Sequence, residues 1–122
     1  MASVGQFQVP LTIVPPDGGE TRHVSALVDT GAAYSVLPRS LLESLGCRQL
    51  RIQRVLFADG RVEHWPVTEL AVECESRRAT TTVLMAPPAS PILLGAITLE
   101  GLGLGVDTLA RRLIPLDFVY VA

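Results

Sequence analysis

The sequence has no excess of positive charge and no long uninterrupted apolar segment. Ten arginines and lysines are balanced by twelve aspartates and glutamates, which gives a net charge of −2. This balance provides no electrostatic reason to expect nucleic acid or an anionic membrane as a partner. Residues 79–99 carry no charge, but prolines interrupt them. We therefore expect core strands and loops there instead of a membrane span.

Cysteine is also scarce. Cys47 and Cys74 lack the paired spacing of a zinc site, and two thiols cannot form a disulfide framework. We expect buried free thiols in a reducing compartment and no bound metal, with a single bridge as the minority alternative. The N-terminal residues lack the basic region and apolar core of a signal peptide, which predicts a cytoplasmic protein.

Length and composition predict one folded domain over residues 1–122. A chain of this size buries roughly two-thirds of the surface that it exposes when unfolded. The sequence is 48% hydrophobic and 18% charged, a balance that argues against disorder. Runs of β-forming residues alternate with turns rich in proline and glycine, so we predict a mostly β fold with one or two short helices.

The local patterns predict the individual elements. Strands are expected over residues 6–14, 21–28, 35–37, 51–56, 62–74 and 78–85, and in the tail over 113–115 and 118–121. A proline loop over residues 87–91 and an apolar run over 92–95 follow the strand at 78–85. Helices are expected over residues 39–45, ending at Gly46, and over 96–102. Asp59-Gly60 predicts a tight hairpin turn, because glycine accepts a positive φ.

Asp29 differs from the other carboxylates because its surroundings are apolar. Residues 26–28 precede it, and Ala32-Ala33 lie just beyond it. A lone buried charge is costly, so Asp29 must share a proton or gather hydrogen bonds. Thr30 can brace the loop, and Gly31 lets backbone N–H groups approach the carboxylate. From Asp-Thr-Gly alone, an Asx turn joining two strands is an equally good interpretation.

The wider context resembles a known family. Residues 26–38, Ala-Leu-Val-Asp-Thr-Gly-Ala-Ala-Tyr-Ser-Val-Leu-Pro, resemble the active-site motif of retropepsin-like aspartic proteases. The family's second signature, apolar residues and a glycine before a helix, is similar to Ile92, Leu93, Leu94 and Gly95. Residues 83–87 look like the strand and proline loop that lead into it. The resemblance covers residues 6–115 and implies a closed, β-barrel-like single lobe.

The resemblance also implies roles for individual residues. Asp29 would be the catalytic carboxylate, and Thr30 would lock two active-site loops together. Gly31 and Ala32 would form the backbone turn that faces the substrate. A flap that folds over the peptide would have at its tip Ala58, Asp59, Gly60 and Arg61. Trp65 has two open interpretations, core packing or a contact at the base of the flap.

One complete motif in a short chain implies a homodimer. Asp107 lies in a partial repeat in which Leu109 replaces the glycine, so we interpret it as a carboxylate at a strand end. The second catalytic aspartate would then be Asp29 of another copy, related by a two-fold axis. The ion pair that joins these segments in many retropepsins is not expected, because Ala33 and Ala96 occupy its positions.

The resulting functional hypothesis is an aspartic endopeptidase. Two Asp29 carboxylates would activate a water that attacks a peptide bond of an extended polypeptide, without metal or cofactor. The alternative is a non-catalytic dimerisation or protein-binding module, in which Asp-Thr-Gly serves loop geometry only.

Overall fold

β-Strands make up most of the computed structural model, which describes residues 6–119 and 121–122. The strands are β1 (Gln8–Val14), β2 (Arg22–Val28), β3 (Ser35–Pro38), β4 (Arg51–Leu56), β5 (Val62–Cys74), β6 (Arg77–Ala86), β7 (Leu93–Leu94), β8 (Leu104–Asp107) and β9 (Arg112–Pro115). The helices are α1 (Arg39–Ser44) and α2 (Ala96–Leu102). The predicted mostly β fold with two short helices is confirmed.

The main sheet closes on itself. Its strand order is β1-β2-β7-β3-β6-β5-β4, and β5 also pairs with β1. The ring formed by β1, β2, β7, β3, β6 and β5 agrees with the predicted barrel-like lobe. β4 lies outside this ring and pairs with β5, while β8 and β9 form a separate antiparallel pair.

Alternation along the strands places the core inside the ring. In β1, Val9, Leu11 and Ile13 are buried, whereas Gln8 and Pro10 are exposed. This period of two is typical of a strand with one face on the core. Leu99 and Leu102 on one side of α2 are also part of this core, so the helix closes over the ring.

The topology brings distant segments to one edge of the sheet. β7 runs parallel to β2 and antiparallel to β3, so it lies between the two strands that flank residues 29–34. β3 in turn runs parallel to β6. The loop after β2 is consequently held between elements from the two halves of the chain.

The ends of the elements follow the sequence signals closely. α1 ends one residue earlier than predicted, and Gly46 follows it with a φ of 81°, the left-handed conformation common after helices. The hairpin strands β4 and β5 have the predicted bounds. Among the described residues, no helix is both long and apolar enough to cross a membrane.

The described residues of the strand expected over 118–121, which are Phe118, Val119 and Val121, are not in a strand. Phe118 and Val121 are 87% and 93% exposed, and Val119 is also exposed. A strand needs a neighbour for its backbone groups, and within the described residues none lies beside this tail. Tyr120 lies outside the described residues.

Candidate active site

Asp29 lies in a tight turn directly after β2. Its backbone N–H donates to the carbonyl of Leu94 at 3.0 Å, which fixes where the strand ends. Its Oδ1 accepts the Gly31 N–H at 2.9 Å, and its carbonyl accepts the Ala32 N–H at 3.2 Å. The Asx turn is therefore present. The half-buried carboxylate also borders a cleft, so the turn aims it at open space.

The start of α2 holds the loop from behind. The N–H groups of Ala96 and Ile97 donate to the carbonyls of Ala32 and Ala33 at 2.9 and 3.1 Å. The first N–H groups of a helix have no partner within it, so these bonds satisfy the helix and the loop together. The second signature thus positions the first through backbone contacts.

A buried cluster of hydroxyl groups joins the same elements. Ser35 Oγ accepts the Gly95 N–H at 3.0 Å and lies 2.6 Å from Thr98 Oγ1. Thr98 Oγ1 lies 2.8 Å from Thr81 Oγ1. The three hydroxyls are almost completely buried and link β3, β6 and α2. Buried polar groups are stable only when they are hydrogen-bonded, so each hydroxyl depends on the others.

Thr98→Val is expected to destabilise the fold by about 2–3 kcal/mol, because it leaves Ser35 and Thr81 without their shared partner. Urea unfolding measures this loss. Thr80→Val, at an exposed position of β6, is the control and should change stability by less than about 0.5 kcal/mol. Equal stabilities of the two variants would contradict a structural role for the cluster.

A cleft of about 820 Å³ lies beside Asp29. The Asp29 loop and the end of β6 form one side, and the β4–β5 hairpin forms the other. Its apolar wall belongs to a small second core cluster and includes Tyr34, Val36, Val55, Phe57, Trp65, Leu84 and Leu93. A volume in the range of roughly 300–1,000 Å³ with an apolar lining is typical of ligand pockets.

The hairpin loop has three residues, 58–60. The sequence predicted a tight turn at Asp59-Gly60, and the observed loop is one residue longer than a two-residue turn. The Phe57 N–H donates to the Arg61 carbonyl at 2.9 Å, and the Gly60 N–H donates to the Phe57 carbonyl at 2.9 Å. Only Gly60 has a positive φ, of 88°, which is typical of a three-residue hairpin loop. Asp59 Oδ1 accepts the Arg61 N–H at 2.9 Å.

A cluster of four side chains ties this turn to the cleft wall. The Arg61 guanidinium lies 4.1 Å from the centre of the Phe57 ring, which packs edge-on against Trp65 at 5.7 Å. Glu63 accepts from Arg61 Nη1 at 2.8 Å and from Trp65 Nε1 at 3.0 Å. Trp65 therefore fills both roles left open above. Sequence reasoning included Phe57 in the expected flap hairpin but missed Glu63, although Glu63 and Trp65 are two apart and so share a strand face.

The predicted site residues fall into three groups. The cleft is lined by Asp29, Gly31, Ala32, Ala58, Arg61 and Leu93. Exposed positions that do not line the cleft are Thr30, Asp59 and Gly60. Those that lie behind the cleft wall, in or against the core, are Ile92, Leu94 and Gly95.

The cysteines are not part of this cleft. Both are free thiols, with Cys74 buried and Cys47 half-buried. Burial raises the pKa of each thiol, and Glu75 raises that of Cys74 further, so the reactive thiolate is disfavoured. The described residues contain no cluster of three or more histidine, cysteine, aspartate or glutamate side chains suited to a metal ion.

Asp107 ends β8, as predicted. Its Oδ1 accepts the Ala110 N–H at 3.0 Å, and Oδ2 lies 3.8 Å from Arg112 Nε. It closes the turn between β8 and β9, in contrast to Asp29 at the cleft.

Comparison with known proteins agrees with this arrangement. A family described as aspartyl protease matches residues 9–109. The chain belongs to the aspartyl protease family. Among solved structures, the solution structure of the simian foamy virus (mac) protease is similar, with a TM-score of 0.55 and 20% identity over 77% of this chain and 92% of that one. This likeness shows a shared retropepsin-like fold. A search of curated proteins finds no match.

Proposed function

We propose that residues 1–122 form one retropepsin-like domain that acts, as a homodimer, as an aspartic endopeptidase. The observation that carries the proposal is the position of Asp29, where a turn held by β7 and α2 aims the carboxylate into a cleft. The chain supplies one such aspartate, so a symmetric pair requires a second copy.

Two Asp29 carboxylates at a two-fold axis would share one proton, because close like charges do not both ionise readily. The ionised carboxylate accepts a proton from a bound water, whose oxygen bonds to the carbonyl carbon of the peptide. The protonated carboxyl donates to the carbonyl oxygen. The C–N bond then breaks as one carboxyl gives its proton to the nitrogen and a hydroxyl of the tetrahedral intermediate gives its proton to the other carboxylate, so an amine and a carboxylic acid leave and the pair again holds one proton. No acyl-enzyme forms.

The walls of the cleft match an extended polypeptide. Its apolar side chains can receive side chains of a bound peptide, while backbone groups near Gly31 and Ala32 can reach the peptide backbone. Thr30, exposed in the single chain, is positioned outside the cleft where a second copy could meet it. This supports the role in joining two active-site loops that the family resemblance implies.

A peptide-library cleavage assay tests the function. We expect the wild-type protein to cleave at least one peptide of the library, with the acid–base step supplied by the carboxylate pair. Failure to cut any peptide, with a folded dimer, would favour the non-catalytic binding module, in which the Asx turn alone accounts for Asp29.

The hairpin tip is expected to act as a lid. Gly60→Val forces a β-branched residue to a φ of 88° and should reduce kcat/KM about tenfold or more, with a stability loss of about 1–2 kcal/mol. Gly18→Val imposes the same strain, at a φ of 78°, in the β1–β2 turn and provides a matched control. If both variants keep wild-type kcat/KM, the hairpin is structural and not a lid.

The C-terminal tail is expected to stabilise the dimer. Removing residues 117–122 deletes the exposed apolar side chains that would pair across the axis, so the dimer should dissociate at least about tenfold more readily in sedimentation experiments. Leu109→Ser removes an equally exposed apolar side chain, 96% accessible, from the β8–β9 turn and is the control. An unchanged dimer after truncation would remove the tail from the interface.

A further inference from the structure

The cleft is lined by two carboxylates, Asp29 and Glu63, and two arginines, Arg54 and Arg61, and the arginines differ in whether they are paired. Arg61 in the cleft wall is paired with Glu63 at 2.8 Å and approaches Asp59 at 3.8 Å. Arg54 also lines the cleft, but no described carboxylate lies within 4 Å of its guanidinium. Arg51, on the same strand, likewise has no such partner among the described residues. The β4 side of the cleft therefore carries uncompensated positive charge.

Arg51 does not itself line the cleft but contacts two neutral side chains that do. Its Nη2 donates to Tyr34 Oη at 3.4 Å and to Gln53 Oε1 at 3.2 Å. Tyr34 and Gln53 both line the cleft. Neither acceptor neutralises the guanidinium, and two contacts leave most of its five N–H donors free. The Arg51 guanidinium thus lies beside the cleft lining, and no described carboxylate pairs with it.

The neighbouring wall is apolar. This wall includes the apolar side chains of Val36, Leu84 and Leu93. In an extended peptide, side chains two positions apart point the same way, roughly 6–7 Å from each other. A peptide can therefore place one side chain against this wall and present another to Arg51.

We propose that, if the chain is the peptidase proposed above, its cleft selects peptides that carry a glutamate or aspartate close to a bulky apolar residue. The carboxylate binds Arg51, which Tyr34 and Gln53 position beside the cleft, and Arg54, which lines the cleft, adds a second positive charge. A guanidinium binds a carboxylate in a bidentate manner and with directional preference, which neutral amides do not match.

Matched peptides test this selectivity. Peptides with a central Leu-Phe pair would differ only by glutamate or glutamine at one position, scanned along both sides of the bond. The wild type should prefer glutamate at one or more positions by roughly five- to tenfold in kcat/KM, and added salt should reduce the preference. Arg51→Gln should bring this ratio close to one, and the Arg51→Gln, Arg54→Gln double variant should abolish it.

Two further variants distinguish the effect of a positioned Arg51 guanidinium from the effect of the protein's net charge. Arg22→Gln, at an exposed site on β2, removes one positive charge away from the cleft and should keep the ratio. Tyr34→Phe keeps the charge but removes one acceptor, so the ratio should fall between those of wild type and Arg51→Gln. If Arg22→Gln lowers the ratio as much as Arg51→Gln, net charge is responsible and the proposal is wrong.

Equilibrium binding separates this inference from catalysis. Fluorescent versions of the same peptides can be titrated into the Asp29→Asn protein, which does not depend on turnover. Tighter binding of glutamate peptides that is lost in Arg51→Gln supports the proposal, even if the wild type cuts nothing and the peptidase proposal fails. Equal binding and equal cleavage of glutamate and glutamine peptides would overturn it.

Discussion

Asp29→Asn is expected to lower kcat/KM by about 10²- to 10⁴-fold, because an amide cannot accept the proton of the attacking water. The fold should persist. The Gly31 N–H donates to Asp29 Oδ1 at 2.9 Å. An asparagine Oδ1 can accept the same hydrogen bond, so the Asx turn is kept. Urea unfolding and sedimentation should therefore match those of the wild type, while peptide cleavage does not.

Asp107→Asn is the matched control for this experiment. Asp107 lies in the partial repeat Val-Asp-Thr, but its carboxylate closes the β8–β9 turn instead of facing the cleft. Its replacement should leave kcat/KM within a few-fold of wild type. Activity that survives in Asp29→Asn and disappears in Asp107→Asn would show that Asp107, and not Asp29, is the catalytic aspartate.

The strands could be predicted because their signals are local. β4 and β5 are separated by a glycine-containing turn, and the signals for the two strands and the turn lie within a few residues of each other. The end of α2 at Leu102 is likewise indicated by a local signal, the glycine at position 103. Each of these elements depends on backbone preferences and on which face is apolar, both of which the chain displays directly.

The contacts that build the site could not be predicted in the same way. Ser35 and Thr98 are 63 positions apart, and nothing in their local sequences distinguishes them from exposed hydroxyls. The pairing of Arg51 with Tyr34 also depends on how the hairpin lies over the cleft. Such contacts arise from the order of strands in the closed sheet, which local patterns do not specify.

Ala33 and Ala96 depart from the pattern of many retropepsins, and the structure shows which contacts these two residues make. Their positions carry an ion pair in many retropepsins, and the sequence predicted its absence here. Ala33 and Ala96 instead take part in the two backbone hydrogen bonds between the Asp29 loop and α2. These bonds need no side-chain charge, so two alanines are compatible with a firmly held loop.

Gly95 lies at the closest approach between the two signatures. A Cβ at this position would lie 2.6 Å from both the carbonyl carbon and oxygen of Tyr34, and 2.9 Å from the Ala32 carbonyl oxygen. These are backbone atoms of the Asp29 loop and cannot move aside as a flexible side chain would. The φ of −91° is accessible to any residue, so the requirement for glycine is one of space.

Gly95→Ala is therefore expected to lower the free energy of unfolding by about 2–4 kcal/mol, as overpacking against rigid neighbours does. Because the displaced atoms belong to the loop that carries Asp29, activity should fall even at temperatures where the variant stays folded. Gly101→Ala is the control. Its Cβ would meet the Ala79 Cβ at an ordinary 3.5 Å, and alanine at this exposed position favours the helix by up to about 1 kcal/mol. The free energy of unfolding in urea should thus fall in Gly95→Ala and rise in Gly101→Ala. A Gly95→Ala protein as stable and active as Gly101→Ala would show that the loop and the helix can separate without loss of stability or activity.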